Sequence, residues 1–237
     1  MKPVDKHLHH IFTAVPRRYN VINRVLTWGL DRRWRLACAR ECLSLNPKRI
    51  LDLACGTGDL AIQLAGLAEG DVEITGLDYS EPMLEIARKR AESLVPRKKL
   101  SFLFGDASAL PFPDGYFDCV GISFAFRNLT YKNPSSKRYL AEVLRVLRHG
   151  GRFVIVETSQ PDAKPIRGLY HLYMRWFAFP VGRLLSGNRA AYYYLAQSAS
   201  RYYTAVEVSE ILLQTGFSQV SFSHLLWGGV AIHVAIK

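Results

Sequence analysis

Acidic residues are scarce in this chain of 237 residues: 20 aspartates and glutamates face 31 lysines and arginines, a formal charge of +11. From Ala163 to Val206 there is no acidic residue, against six basic ones. Such a balance suits an anionic partner, a nucleic acid or a lipid surface, and it also suits a basic face that water simply solvates. Long apolar runs are lacking too. No stretch of about 18 apolar residues occurs, so no membrane span is expected, and Met1 to His7 leads into no signal-peptide core. The expectation is a cytoplasmic protein. The four cysteines, Cys38, Cys42, Cys55 and Cys119, include no Cys-x-x-Cys pair. Cys38 and Cys42 lie beside Trp34 on an expected helix and read as buried thiols, not as a metal site. Internal repeats and low-complexity linkers are absent.

The rest is the composition of an ordinary globular protein, 49% hydrophobic and 22% charged. The length suits one domain with a lid or subdomain. Residues 1–48 hold a polar arm with His7, His9 and His10, then two helices. The second of these helices is expected to be capped by Asp31 and to end at Asn46-Pro47. Residues 49–160 alternate strands and helices. The strands are expected at Arg49–Ala54, Val72–Asp78, Leu100–Phe104, Phe117–Phe124 and Arg152–Glu157. One helix, capped by Ser80, carries an inner stripe of Leu84, Ala87, Ala91 and Leu94. Another runs from Ser136 to Leu147 and is closed by Gly150-Gly151. Residues 161–206 form a basic segment with ten aromatics between Ala163 and Val206, read as a helical lid. Residues 207–237 give a helix and a hairpin around Trp227-Gly228-Gly229. The expected fold is α/β: a Rossmann-like, doubly wound, mostly parallel sheet of about seven strands in a single domain.

The chemistry is concentrated at Ile50–Leu60, an apolar run that stops at Gly56-x-Gly58 before a helical pattern. Glycine there permits positive φ and lets a ligand approach the backbone. With Ala61 and the acid Asp78, the turn also fits a dinucleotide fingerprint, so an NAD oxidoreductase is a rival reading. Two features favour S-adenosylmethionine. Asp52, just before the turn, would repel a pyrophosphate but attract an ammonium and a sulfonium. Asp106-Ala107 adds an acid at the third strand's end, suited to an adenine amino group, with a backbone N–H for the ring. Asp52, Asp78 and Asp106 lie at three successive strands, at whose carboxyl ends such sheets bind ligands.

Asp52–Asp59, Gly76-Leu77-Asp78 and Asp106-Ala107 resemble class I S-adenosylmethionine-dependent methyltransferases. More narrowly, the chain resembles the ubiquinone/menaquinone biosynthesis C-methyltransferases. That likeness is carried by Phe12–Asn23, Gly29–Arg35, Phe124–Thr130, Glu157–Pro161 and Tyr194–Ser198, and it covers almost the whole length. It implies transfer of a methyl group from S-adenosylmethionine to a ring carbon of a polyprenylated quinol, leaving S-adenosylhomocysteine. It also implies cofactor contacts at Thr57, Asp78, Asp106, Ala107 and Ser123, joined by Asp52, Ala54, Gly56, Gly58, Tyr79 and Met83 around the same strand ends. Tyr19, Arg127 and Asn128 are the implied catalytic residues on the acceptor side. Arg127 would stabilise the phenolate and the other two would orient it. Glu157 is balanced between a salt bridge and a catalytic role. The lid would cover a greasy acceptor and could rest on anionic lipid. Nucleic acid is not an expected partner, because a base-flipping tetrapeptide such as Asn-Pro-Pro-Tyr is missing. Self-association stays open, as do another lipid-soluble or small aromatic acceptor and a cofactor-binding module without turnover.

Overall fold

The structure is a computed structural model that describes residues 16–96, 99–186 and 197–237, without the side chains of 16–20 and 186. The N-terminal arm with its three histidines and the Tyr192–Tyr194 run lie outside these residues. The chain begins with helices α1 (Pro16–Leu26) and α2 (Leu30–Leu43). Then come β1 (Arg49–Leu53), α3 (Asp59–Leu67), β2 (Glu73–Asp78), α4 (Glu81–Leu94), β3 (Leu100–Phe104) and β4 (Phe117–Ser123). Next follow α5 (Phe126–Thr130), α6 (Ser136–Val146) and β5 (Leu147–Thr158). Within the segment 161–206 expected to form a lid lie α7 (Lys164–Tyr173), a π-helical turn (Met174–Ala178) and α8 (Phe179–Ser186); α9 (Ala205–Thr215), β6 (Gln219–Leu225) and β7 (Val230–Ile236) follow it.

The seven strands form one sheet in the order β3-β2-β1-β4-β5-β7-β6. Strands β1 to β5 pair in parallel, whereas β7 runs antiparallel to β5 and to β6. The order reverses between β1 and β4, which opens a crevice at their carboxyl ends. Both faces are covered. Trp34, Cys38 and Cys42 of α2 join Leu60 and Leu64 of α3 on one face. Leu140 and Val143 of α6 join Val208 and Leu212 of α9 on the other. A separate small cluster ties the lid to α1 through Ile22, Leu26, Met174 and Ala178. The four cysteines are buried and free, in keeping with a packing role.

Several boundaries differ from the sequence reading. Gly150-Gly151 does not end α6. Leu147 already belongs to β5, and the glycines lie in an irregular stretch where Phe117 faces Leu147 but Cys119 faces Arg152. Gly150 has φ +70°, and its N–H donates to the Lys237 carbonyl at 3.0 Å, so a bulge holds the C-terminus. Asp31 does not cap α2. The cap position is Gly29 at φ 75°, and Asp31 lies in the first turn, paired with Arg35. That helix ends at Leu43, before Asn46-Pro47. Ser80 occupies the cap position of α4, but its hydroxyl makes no capping bond. Leu94, in the last turn of α4, is 60% exposed, and Met83 takes a place in the buried stripe.

Candidate cofactor site

The site begins with the turn after β1. Ala54 leaves the strand at φ 53°, Gly56 follows at 54° and Gly58 at 78°. For Gly58 the reason is packing as well as conformation, since an added Cβ would lie 3.0 Å from the Phe102 ring and 3.1 Å from Ala87. For Gly56 nothing lies within 4 Å of that position, so the backbone borders open space there. Asp78 holds the turn from the neighbouring strand. Its carboxylate accepts the Gly56 N–H at 2.8 Å and the Ser80 N–H at 2.9 Å. The Cys55 N–H donates to the Leu77 carbonyl at 3.0 Å, tying the same two strand ends.

This backbone borders a cavity of about 630 Å³ at the carboxyl ends of β1 to β4. Ala54, Gly56, Thr57, Asp78, Tyr79, Met83, Asp106, Ala107 and Ser123 line it, together with Asn128. Tyr79 packs against Phe104 with ring centroids 5.2 Å apart and forms one wall. Asp106 accepts the Ser108 N–H at 2.7 Å, which fixes its turn beside Ala107. The volume is of the size that encloses a nucleoside ligand. Two buried polar atoms on its lining residues, Ser80 Oγ and Asn128 Oδ1, have no hydrogen-bond partner among the described residues. The open space over Gly56, the carboxylate of Asp78 and these orphaned atoms fit an adenosyl ligand.

Other expected residues stand elsewhere. Gly58 lies behind the lining. Asp52 is 1% exposed and also absent from the wall. Its carboxylate points into α3, where Oδ2 accepts the Ala61 N–H at 2.9 Å. Burial, the main cause, pushes its pKa up to about 8, against the pull of the Ala61 bond. Burial of this kind disfavours the charged form, and the carboxylate stands outside the cavity wall. It serves instead as an acceptor for the first turn of α3. Arg127 likewise does not line the cavity. Its guanidinium is buried and donates to Thr158 Oγ1 at 3.0 Å, and its backbone N–H donates to Glu157 at 3.0 Å. Glu157 also accepts from Thr158, so it anchors backbone; no ion pair to it occurs among the described residues. Tyr19 lies on α1, with its side chain outside the described set.

Sequence reasoning missed Arg35, Phe124, Arg138 and Tyr139, all of which line the cavity. Arg138 and Tyr139 sit on a helix whose apolar stripe gave the only signal there. Phe124 has φ 55°, a bend that no residue type announces.

A model of the ubiE/COQ5 methyltransferase family matches residues 1–237. A demethylmenaquinone methyltransferase from Thermus thermophilus is 41% identical, over 94% of this chain and 98% of its own. A ubiquinone/menaquinone biosynthesis C-methyltransferase from Pseudomonas entomophila is 32% identical, over 98% and 89%. Among solved structures, a methyltransferase from Thermotoga maritima superposes with a TM-score of 0.58 at 21% identity, covering 96% of this chain and 99% of that one. One from Aquifex aeolicus gives 0.54 at 18%, covering 80% and 81%. These likenesses give the fold. The chain thus belongs to the ubiE/COQ5 methyltransferase family, enzymes that draw their methyl group from S-adenosylmethionine.

Proposed function

We propose that the chain methylates a ring carbon of a polyprenylated quinol, with a demethylmenaquinol-type head group as the acceptor. The observation that carries this reading is that buried polar atoms on α5, just after β5 and on α7 lack a hydrogen-bond partner among the described residues, and that one of them, on Asn128, belongs to a residue of the cavity wall. Among the described residues, Asn128 Oδ1, Arg127 Nε, Ser159 Oγ and the Tyr170 hydroxyl have no hydrogen-bond partner. Arg127 and Asn128 are adjacent in α5, Ser159 follows the Thr158 that Arg127 grips, and Tyr170 comes from α7. Arg127 exerts its positive charge on Tyr170, whose pKa is nonetheless raised by burial. Buried polar groups without partners are costly, by about 1–3 kcal/mol each. A quinol hydroxyl entering here would satisfy several of them.

The bound cofactor supplies an electrophilic methyl on a sulfonium. The chain's part is to hold a nucleophilic carbon in line with it and to keep water out. Asp78, Asp106, Ala107 and the glycine turn fix the donor end. Arg127 lowers the cost of the acceptor's phenolate, and Asn128, on the cavity wall, orients the ring together with Tyr19. A phenolate feeds electron density to its ring carbons, and the proton leaves through water held by these groups.

The lid suggests where the acceptor comes from. Helix α7 has no buried residue; Leu169, Leu172, Trp176 and Leu184 are exposed, and Lys164, Arg167, Arg175 and Arg183 lie among them. No described helix is long and apolar enough to cross a membrane. A surface of this kind rests on anionic lipid, where a polyprenyl tail resides. The test is incubation with methyl-labelled cofactor and a reduced lipid extract. Label in a quinone is expected; label confined to another phenol would overturn the acceptor assignment and leave the methyl transfer standing.

A further inference from the structure

The cavity has a cationic lining residue on α2 that the cofactor contacts described so far leave unused. Arg35 of α2 lines it, although the residue is only 6% exposed. Its guanidinium carbon lies 5.0 Å from the centroid of the Phe124 ring, which fixes the group beside the end of β4. One amine donates to Asp31 at 2.5 Å, and Thr27 holds that carboxylate from behind at 3.0 Å. The Nε is buried and has no partner among the described residues. A guanidinium has five N–H donors in a rigid fork, so this one is stationed with donors to spare.

Its place along the sheet identifies what those donors meet. Adenine and ribose lie over β3 and β2, near Asp106 and Asp78. The rest of the ligand extends over β1 toward β4, which is where Arg35 and Phe124 stand. That end of the cofactor carries an ammonium, a sulfonium and one carboxylate. A guanidinium repels the first two and attracts only the third. We infer that Arg35 is the anchor for the amino-acid carboxylate of S-adenosylmethionine, held at the cavity wall by Asp31 and Phe124. The pairing with Asp31 keeps the guanidinium fixed and offsets its charge toward the nearby sulfonium. This inference depends on the cofactor alone and not on the identity of the acceptor.

The test compares ligands that differ at that end. Calorimetric titration of the full chain with S-adenosylhomocysteine and with methylthioadenosine, which has no amino-acid end, gives a preference ratio. Arg35→Gln is expected to weaken S-adenosylhomocysteine by about 10- to 100-fold, the value of a charge-assisted hydrogen-bond pair, and to leave methylthioadenosine within about twofold. Equal loss for both ligands, or loss for neither, would overturn the assignment. Because Arg35→Gln strands the buried Asp31, the Asp31→Asn/Arg35→Gln pair is measured as well and should show the same lost preference. Asp31→Asn alone keeps the guanidinium and should keep the preference; its disappearance there would mean that α2 packing, not Arg35, sets the ratio. Should neither Arg35 variant fold, the wild-type chain still decides. It is expected to bind decarboxylated S-adenosylmethionine about 10-fold or more weakly than the intact cofactor, and equal affinities would refute the anchor.

Discussion

The carboxyl end of the sheet and the lid are built by opposite means. At the sheet end, backbone groups do most of the work. Asp78 ties Gly56 and Ser80, Cys55 is bonded to Leu77, and Gly58 is pressed against Phe102. Two large apolar clusters flank that frame. The lid is held by side chains. His171 meets Gln160 at 2.8 Å, Arg167 grips the Pro161 carbonyl at 2.7 Å, and the Tyr173 hydroxyl donates to the Leu26 carbonyl. Among the described residues, the small cluster with α1 gives its helices an apolar anchor. A π-helical turn interrupts its helices, a feature common at functional sites. A donor site of fixed shape recognises one ligand.

Removing Asp78 should break the first region most severely. Asp78→Ala deletes two turn bonds and, if Asp78 holds the ribose as proposed, the partner of its diol. Cofactor affinity should drop by about 1000-fold, counting about 1.5–3 kcal/mol per charged bond, as read by calorimetry. Arg127→Ala sharpens the contrast from the other side: turnover should fall by about 100-fold while cofactor affinity stays within about twofold. Equal losses of affinity in both variants would merge the two regions into one.

The buried Asp52 gives a smaller, pH-dependent effect. Its pKa is about 8 folded, against an ordinary value of 3.8 unfolded. Between those values the folded state binds more protons, so this group's contribution to stability falls as pH rises. Asp52→Asn should therefore stabilise the chain at pH 8 by about 1–3 kcal/mol, with the gain fading toward pH 4. Denaturant titrations at the two pH values check this, and a gain that grows on acidification would contradict it. The smallest effect belongs to the lid. Arg175→Ser with Arg183→Ser should weaken binding to anionic vesicles by about fivefold per charge and do nothing to neutral ones. Flotation at low and high salt reads the difference.

The strand-turn-helix alternation was legible because its signals are local. The Gly56-x-Gly58 turn, the acids after β2 and β3, and the Gly216 end of α9 at φ 114° announce themselves in a few residues. The β5 bulge was not legible, since Gly150-Gly151 after an apolar helix reads the same whether a helix stops or a strand kinks. Asp52 misled because sequence reports a carboxyl but not its burial. Arg35 stayed hidden for the converse reason. An arginine in Arg32-Arg33-Trp34-Arg35 reads as a solvated face until the fold turns it inward.

The most direct measurement is the fate of the methyl group. The full chain is given cofactor carrying a labelled methyl and a synthetic polyprenyl quinol with one unsubstituted ring position, once reduced and once oxidised. The account predicts label on the ring carbon of the reduced acceptor, located by NMR, and none on the oxidised form. Label on a hydroxyl oxygen, or equal labelling of both forms, would contradict it.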